Sequence, residues 1–217
     1  MSHITLIRHG QANSQAKDEA SYDQLSSLGR QQSAWLGAHL RAGEQHHMRL
    51  YTGTLKRHID TAEAMNTGLP AIEDARLNEL EYLTLAKALE DEKGIPMPGD
   101  SVAFTQHLPM LFAAWENGEI KGAPETFLEF EQRISSVLGE IAEGEGPALV
   151  VTSGGLISCV MRQVLRLDVA AMAQLALAIY NTSQHRLFPI GGRLSPTMFN
   201  AIPHLEDPSR HYAQTHV

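Results

Sequence analysis

The chain opens on a short, β-branched apolar run, His3-Ile4-Thr5-Leu6-Ile7, closed by Arg8-His9-Gly10, a pattern that predicts a buried strand. Leu28, Trp35, Leu36, His39 and Leu40 then recur at helical spacing, with Ser26 or Ser27 placed to cap the helix. Arg49-Leu50-Tyr51-Thr52 predicts a second strand, ended by Gly53. Leu55, Ile59, Ala62 and Met65 share one face of the next helix, which Gly68 is expected to stop near Pro70. From Glu79 to Gly122 no strand pattern occurs. Phe104, Leu108, Leu111, Phe112 and Trp115 form one helix stripe after Pro96, Pro98 and Gly99, which predicts a helical insertion, about residues 80–123, over the main sheet.

Phe127, Phe130, Ile134, Val137, Leu138 and Ile141 then repeat with the period of an amphipathic helix. Ala148-Leu149-Val150-Val151-Thr152 is continuously apolar up to its last residue, the signature of a strand buried on both faces. After Ser153-Gly154-Gly155 a helix is predicted with Leu156, Ile157, Val160, Met161, Val164 and Leu165 inward. Gln184 to Ile190 and Arg193 to Ala201 are expected to pair as a hairpin through Gly191-Gly192. The polar tail after His204 is expected to fray. This order predicts a three-layer α/β/α sandwich, with a mostly parallel central sheet and an antiparallel edge strand.

Composition narrows the function classes. At 217 residues the chain suits one domain, spanning 1–217 with the insertion inside it. With 43% hydrophobic and 19% charged residues it is not a disordered chain. A single cysteine, Cys159, excludes an intrachain disulfide and a thiolate metal cage, and its place on an inward helix face predicts packing. A formal charge of −8 argues against a general nucleic-acid surface. No apolar run approaches the roughly 20 residues that span a bilayer, and Met1 to Arg8 lacks a signal peptide's basic start, so a cytoplasmic protein is expected. The 11 histidines show no metal-binding spacing, so neither metal nor cofactor is expected, and His46-His47 is expected in an exposed loop.

In such sheets ligands bind beyond the carboxyl ends of the strands. Three segments fall there: Arg8-His9-Gly10-Gln11, Thr52 to Arg57, and Ser153-Gly154-Gly155. They bring two guanidiniums, an imidazole, a hydroxyl and glycines, and the helix after Gly154 adds N-terminal amides. A guanidinium fork matches phosphate oxygens, and an imidazole between two of them can serve as a nucleophile. A serine hydrolase centred on Ser153 fits poorly, because Thr152-Ser153-Gly154-Gly155 is no nucleophile elbow and the arginines would be unexplained.

The same residues carry a family resemblance. Arg8-His9-Gly10-Gln11 follows the first strand as an Arg-His-Gly signature, and Leu25-Ser26-Ser27-Leu28-Gly29-Arg30-Gln31-Gln32 matches a Leu-Ser/Thr-x-x-Gly-x-x-Gln helix start. Leu55-Lys56-Arg57 with Thr61-Ala62-Glu63, and then Leu77-Asn78-Glu79, complete the order. The chain resembles the histidine phosphatase superfamily, or phosphoglycerate mutase-like family. The resemblance implies that His9 attacks the phosphoryl group, that Arg8 and Arg57 hold its oxygens, and that Glu79 is the proton donor, with Glu81 as the alternative acid. Gln11, Ser153 and Gly154 are further candidates for binding phosphate. A phosphorylated small molecule or a phosphoprotein is the implied substrate, and no nucleic acid or membrane partner is expected.

The chain departs from the family pattern at one position. Where the family carries a second histidine after the late strand, this chain has Ser153, a shorter and uncharged donor. His58 and His185 are the candidates for a substitute imidazole, and restoring histidine at 153 is expected to raise turnover. The departure opens one alternative to a phosphatase, a weakly active or inactive pseudophosphatase that binds a phosphorylated ligand; a phosphoglycerate mutase-type phosphotransferase is the other alternative, which Gln11-Ala12 and Ser153 make a poorer fit.

Overall fold

The computed structural model describes residues 2–13, 19–43 and 46–216. Its strands are β1 (Ile4–Arg8), β2 (Arg49–Thr52), β3 (Ala71–Glu73), β4 (Ala148–Thr152), β5 (Gln184–Ile190) and β6 (Arg193–Ala201). The helices are α1 (Glu19–Tyr22), α2 (Ser27–Ala42), α3 (Lys56–Met65), α4 (Tyr82–Lys93), α5 (Ser101–Glu116), α6 (Phe127–Glu143), α7 (Gly154–Leu165) and α8 (Val169–Ala178). The six strands lie in the order β3-β2-β4-β1-β5-β6. β1, β2, β3 and β4 run parallel, β5 is antiparallel to β1, and β6 pairs back on β5 as the expected hairpin.

The pleat of the sheet sorts the core into two layers. Successive side chains point to opposite faces. Ile4, Leu6, Ala148 and Val150 therefore join the larger cluster with the buried residues of α4, α5, α6, α7 and α8. Ile7, Leu50, Leu149 and Val151 join the smaller one with Leu36 and Leu40 of α2 and Ala62 and Met65 of α3. The parallel register sets Arg8 opposite Thr152 and Thr52 opposite Val151, so the segments leaving β1, β2 and β4 start side by side at one edge.

The insertion is helical, as α4 and α5, and α5 carries the expected stripe with Leu108, Leu111, Phe112 and Trp115 buried. Cys159 is buried in α7, as expected. Four expectations need correction. α3 stops at Asn66, whose left-handed φ of 46° ends the helix before Gly68 is reached. Leu165 is 50% exposed, because α7 ends there. His47 is buried while His46 is exposed, since the Thr5 hydroxyl holds the His47 ring against β1. The tail does not fray: residues 208–213 form a 3₁₀ turn, Gln32 Nε2 donates to the Ala213 carbonyl at 2.7 Å, and the Asn181 amide donates to the Thr215 carbonyl at 2.8 Å. A polar composition hid this because the tail is tied by its backbone. Among the described residues no helix is long and apolar enough to cross a membrane.

Burial disfavours the charged form of seven histidines, and five of them are shifted far. His185, His204 and His47 are pushed down to about 3, and His9 and His58 lie well below 6.5. The unfolded chain binds these protons near pH 6.5 and the folded chain does not, so stability present above pH 6.5 is lost as pH falls. Chemical denaturation at a series of pH values should show stability declining from about pH 6.5 downward, before ordinary carboxylates titrate, with net proton uptake on unfolding. Stability that stays flat between about pH 6.5 and 5 would contradict this.

Candidate functional site

His9 leaves β1 with its amide donating to the Thr152 carbonyl at 2.8 Å, and the Asn181 side chain donates to its carbonyl at 3.2 Å. Its ring is 2% exposed. Nδ1 lies 2.7 Å from the Gly10 carbonyl. A carbonyl can only accept, so Nδ1 carries the hydrogen and Nε2 keeps its lone pair. Burial, reinforced by Arg57, Arg8 and His58, keeps this ring neutral.

Arg57 comes from the first turn of α3. It is held by Asp23, whose Oδ1 accepts from its amide at 3.0 Å and from its Nη1 at 3.1 Å, and by the Tyr22 ring 5.0 Å from its guanidinium carbon. Nothing in the sequence pattern singles out Tyr22 or Asp23, because one ends a helix of a single turn and the other follows it. Thr61 ties α3 to the β1 loop by accepting from the Gly10 amide at 3.1 Å. Arg8 lies over Gly154, where an added Cβ would meet its Nε at 3.5 Å. Its Nη1 donates to the carbonyls of Ile179 and His216, so the C-terminal segment closes over this side. The Nε atoms of both arginines are buried without partners.

Glu79 reaches the N-terminus of α7 from the other side. Its Oε2 accepts from the Gly155 amide at 2.8 Å and its Oε1 from the Leu156 amide at 3.1 Å. The amides expected to face phosphate are thus engaged by the side-chain oxygens of Glu79. Glu81 is exposed at the start of α4 and accepts from the Thr84 hydroxyl, so Glu79 is the acid beside the cluster. Gln11 has a bracing role: its Oε1 accepts from Ser26, the N-cap of α2, at 2.8 Å. A cleft of about 290 Å³ opens on the Glu79 side, lined also by Glu81, Leu85, Trp115 and Arg133.

Ser153 is fully buried and makes no side-chain cap to α7. Its hydroxyl is instead 2.6 Å from Nε2 of His58, whose ring centroid is 5.6 Å from that of His9. His185 stays within the sheet, paired with Ser183 at 2.9 Å. Of the two candidate imidazoles the structure therefore brings only His58 to this cluster. A histidine at 153 would have to share this position with the His58 ring that Ser153 contacts.

One other histidine group has ligand-like spacing among the described residues. Nitrogens of His3, His46 and His47 fall within 4.8 Å of one another. His46 Nε2 is hydrogen-bonded to His3 Nε2 at 3.0 Å and His47 Nε2 to Thr5 Oγ1 at 3.1 Å. Arg186 beside them disfavours further positive charge on His3 and His47.

The sheet topology defines an α/β protein with two guanidiniums and two imidazoles gathered at the carboxyl edge of its strands. The chain belongs to the histidine phosphatase superfamily (branch 1), whose family model matches residues 4–201. Among solved structures, phosphoglycerate mutase from Bacillus anthracis str. Sterne is similar with a TM-score of 0.68 at 20% identity, over 94% of each chain. A phosphoserine phosphatase mutant from Entamoeba histolytica in complex with phosphoserine gives 0.64 at 18% identity, over 94% of this chain and 100% of that one. A mycobacterial glucosyl-3-phosphoglycerate phosphatase complexed with VO3 gives 0.65 at 26% identity, over 93% of this chain and 100% of that one. No curated protein sequence matches the chain.

Gly53, just past β2, is where the backbone makes room for His58. A Cβ there would lie 2.3 Å from His58 Nδ1 and 2.6 Å from Asn78 Oδ1. Gly53→Ala should therefore cost about 1–3 kcal/mol in urea denaturation through overpacking. Gly99→Ala, with nothing within 4 Å of the added methyl, should stay within about 0.5 kcal/mol of the parent. Equal stabilities for the two variants would contradict the packing described.

Proposed function

We propose that the protein is a phosphatase that hydrolyses a phosphate monoester through a phosphohistidine on His9. The observation that carries this reading is the fixed tautomer of His9, neutral between two guanidiniums with Nδ1–H committed to the Gly10 carbonyl. Nε2 attacks phosphorus in line with the departing ester oxygen. Arg8 and Arg57 take up charge on the non-bridging oxygens, and such positioning and neutralisation supply most of the catalysis in phosphoryl transfer. Glu79, between α7 and the cleft, enters this step as the neutral carboxylic acid and gives its proton to the leaving oxygen as the P–O bond breaks and the P–N bond forms. Water then enters from the same side. Glu79 takes its proton, the water oxygen attacks phosphorus, the P–N bond breaks, and inorganic phosphate leaves His9 free.

The alcohol portion of the substrate occupies the cleft beside Glu79. Its volume, about 290 Å³, suits a small phosphorylated molecule better than the surface of a phosphoprotein. Residues 80–123 contribute Glu81, Leu85 and Trp115 to that cleft, which supports a role for the insertion in substrate choice. The family match over residues 4–201 supports reading the chain as a single domain.

Incubation with a panel of phosphate monoesters should release phosphate and leave an acid-labile phosphoryl group on His9, read by peptide mass spectrometry. His9→Ala should lose both, and Arg57→Ala should lower kcat/KM by about 10²–10³. Turnover by His9→Ala, or a phosphoryl group on another residue, would overturn the assignment.

A further inference from the structure

We infer that His58 is a positioning residue for this reaction, acting through Ser153: its Nε2–H donates to the serine oxygen and turns the hydroxyl hydrogen toward the phosphoryl group held by Arg8 and Arg57. The inference rests on the proposed phosphatase reading and deepens it.

Four observations carry it. The contact of 2.6 Å joins two fully buried side chains, one following β4 and one on α3, at the strand edge where Arg8 and Arg57 meet. Ser153 is released from the capping work a serine in its place ordinarily performs, because Glu79 takes the Gly155 and Leu156 amides. His58 stands next to Arg57 in sequence, and burial and Arg57 hold it neutral, so it has one N–H to give. Its Nδ1 is buried without a partner against Gly53.

The polarity of this chain of donors follows from its two ends. Phosphoryl oxygens only accept, so the serine hydrogen must point at them, and the serine oxygen is then free to accept from Nε2–H. At the other end, an orphaned buried N–H is rarer in proteins than an under-used acceptor, so Nδ1 carries the lone pair and Nε2 the hydrogen. Each bond in such a chain polarises the next. Serine alone is a neutral, weak donor. Serine held by a buried imidazole is a donor already aimed when negative charge develops, which is where preorganised hydrogen bonds act most strongly.

The test measures kcat and KM separately on p-nitrophenyl phosphate, for variants shown by circular dichroism and thermal melting to be folded. His58→Ala should lower kcat about a hundredfold with little change in KM. His58→Gln, whose amide nitrogen reaches the same point, should recover to within about tenfold of the parent. Ser153→Ala should lose at least as much as His58→Ala, and the double variant should be no worse than Ser153→Ala, because the two side chains act as a unit. Unchanged kcat in His58→Ala, no rescue by glutamine, or losses that multiply in the double variant would each overturn the inference. If His58→Ala does not fold, the glutamine and Ser153→Ala variants decide. Turnover that survives in His9→Ala would instead strike the phosphatase reading itself.

Discussion

Two guanidiniums, those of Arg8 and Arg57, lie close enough at the carboxyl edge of the sheet for Arg57 to oppose the charge on buried Arg8. Bringing like charges together out of water is costly, and much of the surrounding structure offsets that cost. Asp23 and the Tyr22 ring hold Arg57. Glu79 and Tyr22 favour the charge on Arg8, and the carbonyls of Ile179 and His216 accept from it. The segments that supply these partners come from positions 22 to 216, so the cation pair draws distant parts of the chain to one edge. Burial sets the state of the imidazoles beside the pair, and the guanidiniums reinforce it. A third positive charge there is disfavoured, so His9 and His58 stay neutral, one with a free lone pair and the other with a single N–H.

The strands that position the cluster were legible because each is a short apolar run ended by residues that break the pattern. β2, β4 and the β5–β6 hairpin coincide with their predicted runs, and β1 is shifted by one residue. Arg8, His9, Arg57 and Ser153 were legible for the same reason, as polar residues just past strand ends. α3 was harder. Its apolar stripe points inward through Ala62 and Met65, but Arg57, His58, Asp60 and Thr61 are buried too. Hydrophobic periodicity is blind to a polar face turned toward a site, and this face carries His58. β3 escaped because all three of its residues are exposed and it is too short to alternate. Tyr22, Asp23 and the C-terminal segment escaped because their contacts are long-range and mostly polar.

Glu79 links the cation cluster to the cleft. Its side-chain oxygens close the N-terminus of α7, and the residue also lines the cleft. Capping by Glu79 frees Ser153 for His58, and His58 in turn needs Gly53 to stay without a side chain. These residues are therefore coupled: a change at one alters what its neighbours can do. The structure reached by this route is a family fold whose carboxyl edge carries an imidazole–hydroxyl pair spanning α3 and β4.

Burial, reinforced by the Arg8–Arg57 pair, keeps His9 neutral with its hydrogen on Nδ1. Nitrogen-15 NMR of the histidine rings through a pH titration reads both properties directly. The account predicts an Nδ1–H tautomer for His9 that persists unchanged from pH 8 to well below 6.5. A ring that titrates near 6.5, or one that carries its hydrogen on Nε2, would contradict it.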